Sequence, residues 1–169
     1  MKSLKDFNIP FSGLKIGKHI FDYSIDNQFF KHYNYEEFND ANIKIDVILD
    51  KKSTFFELHF SHKGTVNVPC DISNENFDLP IKGNLLLIVK FGEEFNDEND
   101  EILILPHGEF QVNIAQYIYE MIALSVPLKR IHPAALNEKE EEFDDTEEQE
   151  TNDTIQDPRW DKLKNFLTN

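Results

Sequence analysis

The side chains best able to do chemistry in this 169-residue chain are a single cysteine, Cys70, and six histidines. A cysteine becomes a nucleophile when a neighbouring base takes its proton, and His62 or His59 is the candidate base. A lone Cys at the end of an apolar strand reads more simply as a small buried hydrophobe. His107 and His132 with an acidic side chain would make a metal site, yet no two histidines stand at the i, i+4 spacing that puts two ligands on one helix face. They read as ordinary surface residues. Neither a Gly-rich phosphate loop nor a nucleophile elbow is present. The expectation is a protein with no catalytic residues, no metal and no cofactor.

Composition narrows the class. Fifteen phenylalanines and five tyrosines supply enough apolar area for one real core, and the length suits one domain with appendages. The net charge of −15 speaks against a generic nucleic-acid binder, DNA included, because a phosphate-binding surface needs Lys and Arg in local excess. The sequence shows no basic stripe, which favours a protein partner over RNA. One cysteine excludes an internal disulfide framework and a cysteine zinc site, so a reducing cytosol is the simplest setting. No apolar run has signal-peptide or membrane-span length. A soluble cytoplasmic protein is expected.

The elements that must position these residues are mostly strands. Leu4 to Ile9 and Leu14 to Ile25 look extended, the second with Phe21, Tyr23 and Ile25 alternating against Asp22 and Ser24. Asp26 suits the cap of a short helical turn through Phe29 and Phe30, and residues 34–42 read as a polar connection. Ile43, Ile45, Val47 and Leu49 share one face of a strand that turns at residues 50–53. Phe56, Leu58 and Phe60 share a face of the next strand, and Ser61 to Gly64 reads as a tight turn, with Gly64 tolerant of positive φ. A further strand then ends at Cys70. Gly83 to Gly92 is almost wholly apolar, as in a central strand buried on both faces. Residues 93–101 read as an acidic loop, and Ile102 to Leu105 alternates again. The first long helix begins near Asn113, a plausible N-cap with Gln116 completing a capping box. Ile114, Tyr117, Ile118, Met121 and Ile122 form its apolar face, and Pro127 stops it. Glu120, between apolar neighbours, reads as a residue pairing with a Lys or Arg of the sheet, or as a partner contact. The fold class expected is α+β: an antiparallel, curved or barrel-like sheet covered by one main helix.

Composition changes sharply at Glu138. Nine of the thirteen residues from Glu138 to Glu150 are acidic and one is basic, a net of −8. Such a run cannot bury enough surface to fold and reads as a solvated linker, or as a mimic of nucleic-acid charge that docks a basic protein. Beyond it, Asp157 can cap a helix, Pro158 suits its first position, and Trp160, Leu163 and Leu167 share a face. The expected organisation is a folded domain over 1–137, an acidic linker over 138–156 and a short amphipathic helix over 157–169.

The order of these signals resembles one family. Gly64, Val66, Val68, Cys70 and Asp71 form a Gly-x-Val-x-Val-x-Cys-Asp strand end. Val89 to Gly92 follows, then the helix signature from Tyr119 to Lys129, then His132, the acidic stretch and the closing run Asp157 to Leu163. This pattern is similar to that of the YceD family. The resemblance implies a non-enzymatic role in ribosome biogenesis, promoting accumulation of large-subunit ribosomal RNA through a ribosomal protein, a precursor particle or the RNA itself. The alternative is an acidic adaptor that captures a basic protein through its C-terminal segment. Candidate partner-binding residues are Cys70, Asp71, Glu120, Lys129, Arg130 and His132, with Asp157, Arg159, Trp160 and Leu163 at the end of the chain. Arg130, Lys129, Lys82 and Lys90 are the candidates for a local RNA-facing patch. Many members carry a second Cys near the first and more after the helix, implying a metal site. Here Ser73 stands at the second position and residues 130–137 contain no Cys, so zinc is not expected.

Overall fold

Alternation of apolar and polar residues over four long stretches builds most of the molecule. In the computed structural model, which describes residues 4–99 and 101–134, these stretches are β2 (Gly17–Asp26), β3 (Asp40–Lys51), β4 (Phe55–Pro69) and β5 (Asn76–Gly92). They pair antiparallel in sequence order. β7 (Ile102–Pro106) runs parallel to β5, and β6 (Asn96–Asn99) pairs antiparallel on the far side of β7. The sheet is open, in the order β2-β3-β4-β5-β7-β6, rather than the barrel-like sheet expected. The parallel β5–β7 pair also departs from a purely antiparallel sheet. The segment read as an acidic loop supplies β6, which carries the chain back so that β7 can enter alongside β5.

One face of the sheet holds the core. Ile43, Ile45, Val47 and Leu49 of β3, Leu58, Phe60, Val66 and Val68 of β4, and Leu87 and Val89 of β5 are buried there. Helix α2 (Ala115–Ser125) packs against β5 on this side and contributes Ile118, Met121 and Ile122. Helix α1 (Asn27–Lys31) begins where Asp26 accepts a hydrogen bond from the Gln28 N–H, and it buries Phe29 and Phe30. A two-stranded ribbon of β1 (Asn8–Pro10) and β8 (Gln111–Asn113) ties the chain start to the entry of α2. Tyr35 and Phe38 lie in the stretch read as a polar connection, yet they join Phe30 and Tyr119 in an aromatic cluster.

Several local expectations change. Leu4–Phe7 is a 3₁₀ turn, not a strand, because it must deliver Phe7 to the core before the β1 ribbon starts. The turn expected at Ser61 to Gly64 does not form, and β4 runs straight through it. Alternation is unbroken from Phe56 to Val68, so a turn there would forfeit the burial of Val66 and Val68, about 1.5–3 kcal/mol each. Gly64 is needed for close approach instead: a Cβ there would lie 2.2 Å from the Asn42 carbonyl oxygen and 2.6 Å from the Ile43 Cα. The hairpin turn sits at residues 70–75, where Asn74 takes a left-handed φ of 59°. β5 is central but buried on one face only, with Leu86 43% exposed on the other. At α2, Asn113 accepts the Ala115 N–H, while its amide donates to the Leu4 carbonyl and to Asn8. Gln116 donates to Glu120 rather than closing a capping box. Val126 is extended before Pro127, as a residue preceding proline prefers.

The linker expected over 138–156 and the terminal helix expected over 157–169, with Asp157, Arg159, Trp160 and Leu163, lie outside the described residues.

Candidate functional site

Four of the residues singled out in the sequence meet where the β4–β5 turn touches the segment following α2. The Asp71 N–H donates to the Arg130 carbonyl at 2.8 Å, and the Arg130 N–H donates back to the Asp71 carboxylate at 2.7 Å. Two positions on, the His132 N–H donates to Cys70 Sγ at 3.3 Å. The His132 ring stands edge-on to Phe77, and its Nδ1 accepts the Ala134 N–H. A reciprocal ladder of this kind clamps residues 130–132 to the hairpin turn. It explains the chemistry of the side chains used: a short carboxylate for one exposed N–H, and a sulfur for another that lies inside.

The thiol is altered by this role. Cys70 is only 2% exposed, and the N–H groups aimed at its sulfur, first that of His132 and then that of Ser73, bring its pKa down from 9.0 to about 7. A low thiol pKa alone marks a reactive cysteine only when the sulfur is accessible. Neither candidate histidine is positioned as its base. His62 and His59 lie on β4 eight or more residues away, about 26 Å or more along an extended strand. They also face opposite sides of the sheet: His62 is buried with Nε2 on Ser125 Oγ, and His59 pairs with Glu57 on the open face. The Cys–His dyad therefore does not form.

A metal does not fit either. His107 follows the end of β7, beside Gly92, and His132 packs on Phe77 near the start of β5, so the length of β5 separates them. Cys70 offers one sulfur that already accepts N–H groups, and Ser73 supplies no second thiolate. Among the described residues, no group of three His, Cys, Asp or Glu side chains converges as metal ligands.

The remaining candidates scatter. The Arg130 guanidinium pairs with the Glu37 carboxylate and is mostly buried, which withdraws it from any RNA-facing patch with Lys129. Lys82 and Lys90 share the open face of β5 but stand eight residues apart, about 26 Å. They are not neighbours. Glu120 finds its partner in Gln116 one turn earlier, not in a cation of the sheet. It lines a cleft of about 650 Å³ between the start of α2 and β6–β7, with Asp97, Glu109, Phe95 and Tyr117. Burial first, then the negative charges of Asp97 and Glu120, push the Tyr117 phenol up to about 12. Sequence reasoning missed this cleft, because its carboxylates come from β6, the loop after β7 and α2.

No described helix is long and apolar enough to cross a membrane. The family described as large ribosomal RNA subunit accumulation protein YceD matches residues 58–167. No curated protein and no solved structure matches the chain.

Proposed function

The chain belongs to the YceD family, and on that premise we propose that it is a non-enzymatic ribosome biogenesis factor of the cytoplasm that promotes accumulation of large-subunit ribosomal RNA. The observation that carries this reading is the match over residues 58–167, which spans the hairpin turn, the helix and the closing motif. The clamp of Cys70, Asp71, Arg130 and His132 supports it as a scaffold: it holds residues 130–132 against the β4–β5 turn. Asp157, Arg159, Trp160 and Leu163 are the proposed contacts at the far end, an aromatic-plus-Arg set of the kind that anchors interfaces. In cells lacking the protein, the ratio of large- to small-subunit ribosomal RNA is expected to fall and to recover when the chain is restored. An unchanged ratio, with no comigration of the protein with pre-ribosomal particles, would overturn the reading.

A second reading, an acidic adaptor for a basic protein, draws on the cleft of Asp97, Glu109 and Glu120 and on the net −8 run over 138–150. Charge complementarity of this type speeds encounter and selects partners. If it holds, neutralising the run with Gln and Asn abolishes capture of basic ribosomal proteins from RNase-treated extract; undiminished capture counts against it.

A further inference from the structure

The open face of the sheet carries a basic row that the linear sequence conceals. Lys44, Lys63 and Lys82 lie nineteen residues apart in the chain, each on a different strand. The register places Lys44 opposite Lys63 and Lys63 opposite Lys82, with Ser24 completing the row on β2. Adjacent strands are about 4.8 Å apart, so the Cα atoms of the three lysines span about 10 Å. All three lysines are exposed, and none of the salt bridges among the described residues contains one of them.

Like charges directly opposite in a sheet are destabilising. Two such pairs in succession, in a chain of net charge −15, break a local rule with one neighbouring carboxylate, Asp46 beside Lys44, and such breaks gather at functional positions. An anion running across the strands would remove the repulsion. Flanking Lys63 and Lys82 on the same face are Ser61, Thr65, Pro80 and Asn84, hydroxyls and an amide with no carboxylate among them, whereas Asp46 flanks Lys44. Beyond them lies a shallow hollow of about 320 Å³, bordered by Ile48, His59, Ser61, Asn84 and Leu86, with Asp46 also in its lining. A row of cations beside a hollow with an apolar floor and a polar edge matches a nucleotide, with phosphate on one side and base on the other. A carboxylate-bearing peptide would use the lysines and leave the hollow unexplained.

We propose that the open sheet face binds single-stranded RNA, its phosphates along Lys44, Lys63 and Lys82 and a base in the adjoining hollow. The inference deepens the ribosomal RNA reading above and rests on it for the source of the RNA. The test uses the full chain, with Lys44→Gln, Lys63→Gln and Lys82→Gln combined, against a large-subunit ribosomal RNA transcript and a mixed-sequence single strand. Wild type is expected to bind, and the triple variant to weaken at least about tenfold at about 0.1 M salt, with the slope of log K against log salt reduced by about 2. Lys31→Gln, at the end of α1 and off the sheet, leaves binding unchanged. Removing like charges should not lower the unfolding temperature of the triple variant; if it does, the central Lys63→Gln alone decides, with roughly a third of the slope change. RNA binding absent from wild type, or equal in wild type and variant, overturns the inference. Complementation separates it from the broader reading. If the triple variant restores the ribosomal RNA ratio as well as wild type does, the sheet-face inference fails and the biogenesis role stands. If wild type itself restores nothing, that role fails first.

Discussion

At the level of single residues, the most consequential placement is that of His62. Its ring is 4% exposed, one nitrogen meets Ser125 Oγ at 3.0 Å, and Nδ1 has no hydrogen-bond partner. Burial holds its pKa below the ordinary 6.5. The unfolded chain therefore takes up a proton near pH 6.5 that the folded chain resists, so stability is full above that value and declines as pH falls from it toward the folded pKa. Denaturant midpoints measured from pH 7.5 to 5.5 are expected to drop for wild type and to drop less for His62→Gln; equal slopes would show that His62 is not the group responsible. Cys70 poses the complementary case, a thiol of low pKa shut away from solvent. Alkylation of the native protein is expected to be much slower than alkylation of the unfolded chain, despite the thiolate present near pH 7. The single cysteine was readable as a small buried residue. Its role as acceptor for the His132 N–H was not, since that bond joins positions 62 residues apart.

Among the elements, β4 decides most. It pairs with β3 from Phe56 to Asn67 along one edge and with β5 over all 15 residues along the other, and at Gly64 the β3 backbone leaves no room for a Cβ. Because the obstructing atoms are backbone, neither a rotamer change nor a small shift can relieve them. Gly64→Ala is expected to cost on the order of 3 kcal/mol, read as a lower unfolding midpoint at unchanged m-value. A neutral result would mean that β3 and β4 separate freely there. The sequence marks Gly64 as a turn residue tolerant of positive φ, whereas its place is a close approach between two strands. Only the paired strand discriminates between the two. Helix α2 was more legible, because a 3.6-residue period over Ile114 to Ile122 needs no knowledge of its neighbours. Its start was displaced by one residue, since Asn113 also serves Leu4 and Asn8 across the β1–β8 ribbon.

For the whole molecule, the distribution of charge matters more than its sum. The run over 138–150 accounts for −8 of the −15, while the open sheet face gathers Lys44, Lys63 and Lys82. Uniform negative charge at a distance lowers the local concentration of another polyanion and is screened by salt. Replacing the acidic residues of 138–150 by Gln and Asn is therefore expected to tighten RNA binding at low ionic strength, with the two titrations converging above about 0.5 M salt. A gap that persists at high salt would point to something other than long-range electrostatics.

The sequence by itself determined the long strands, the apolar faces of β3 and β4, the apolar face of α2 and its end at Pro127, and the family signature. All of these depend on spacing over a few residues. The tertiary structure alone decided the open form of the sheet, the parallel entry of β7, the clamp of Cys70 and Asp71 on residues 130–132, and the row of lysines. Each of these joins positions far apart in the chain through strand register, and a one-residue slip in that register would turn Lys63 from the open face into the core.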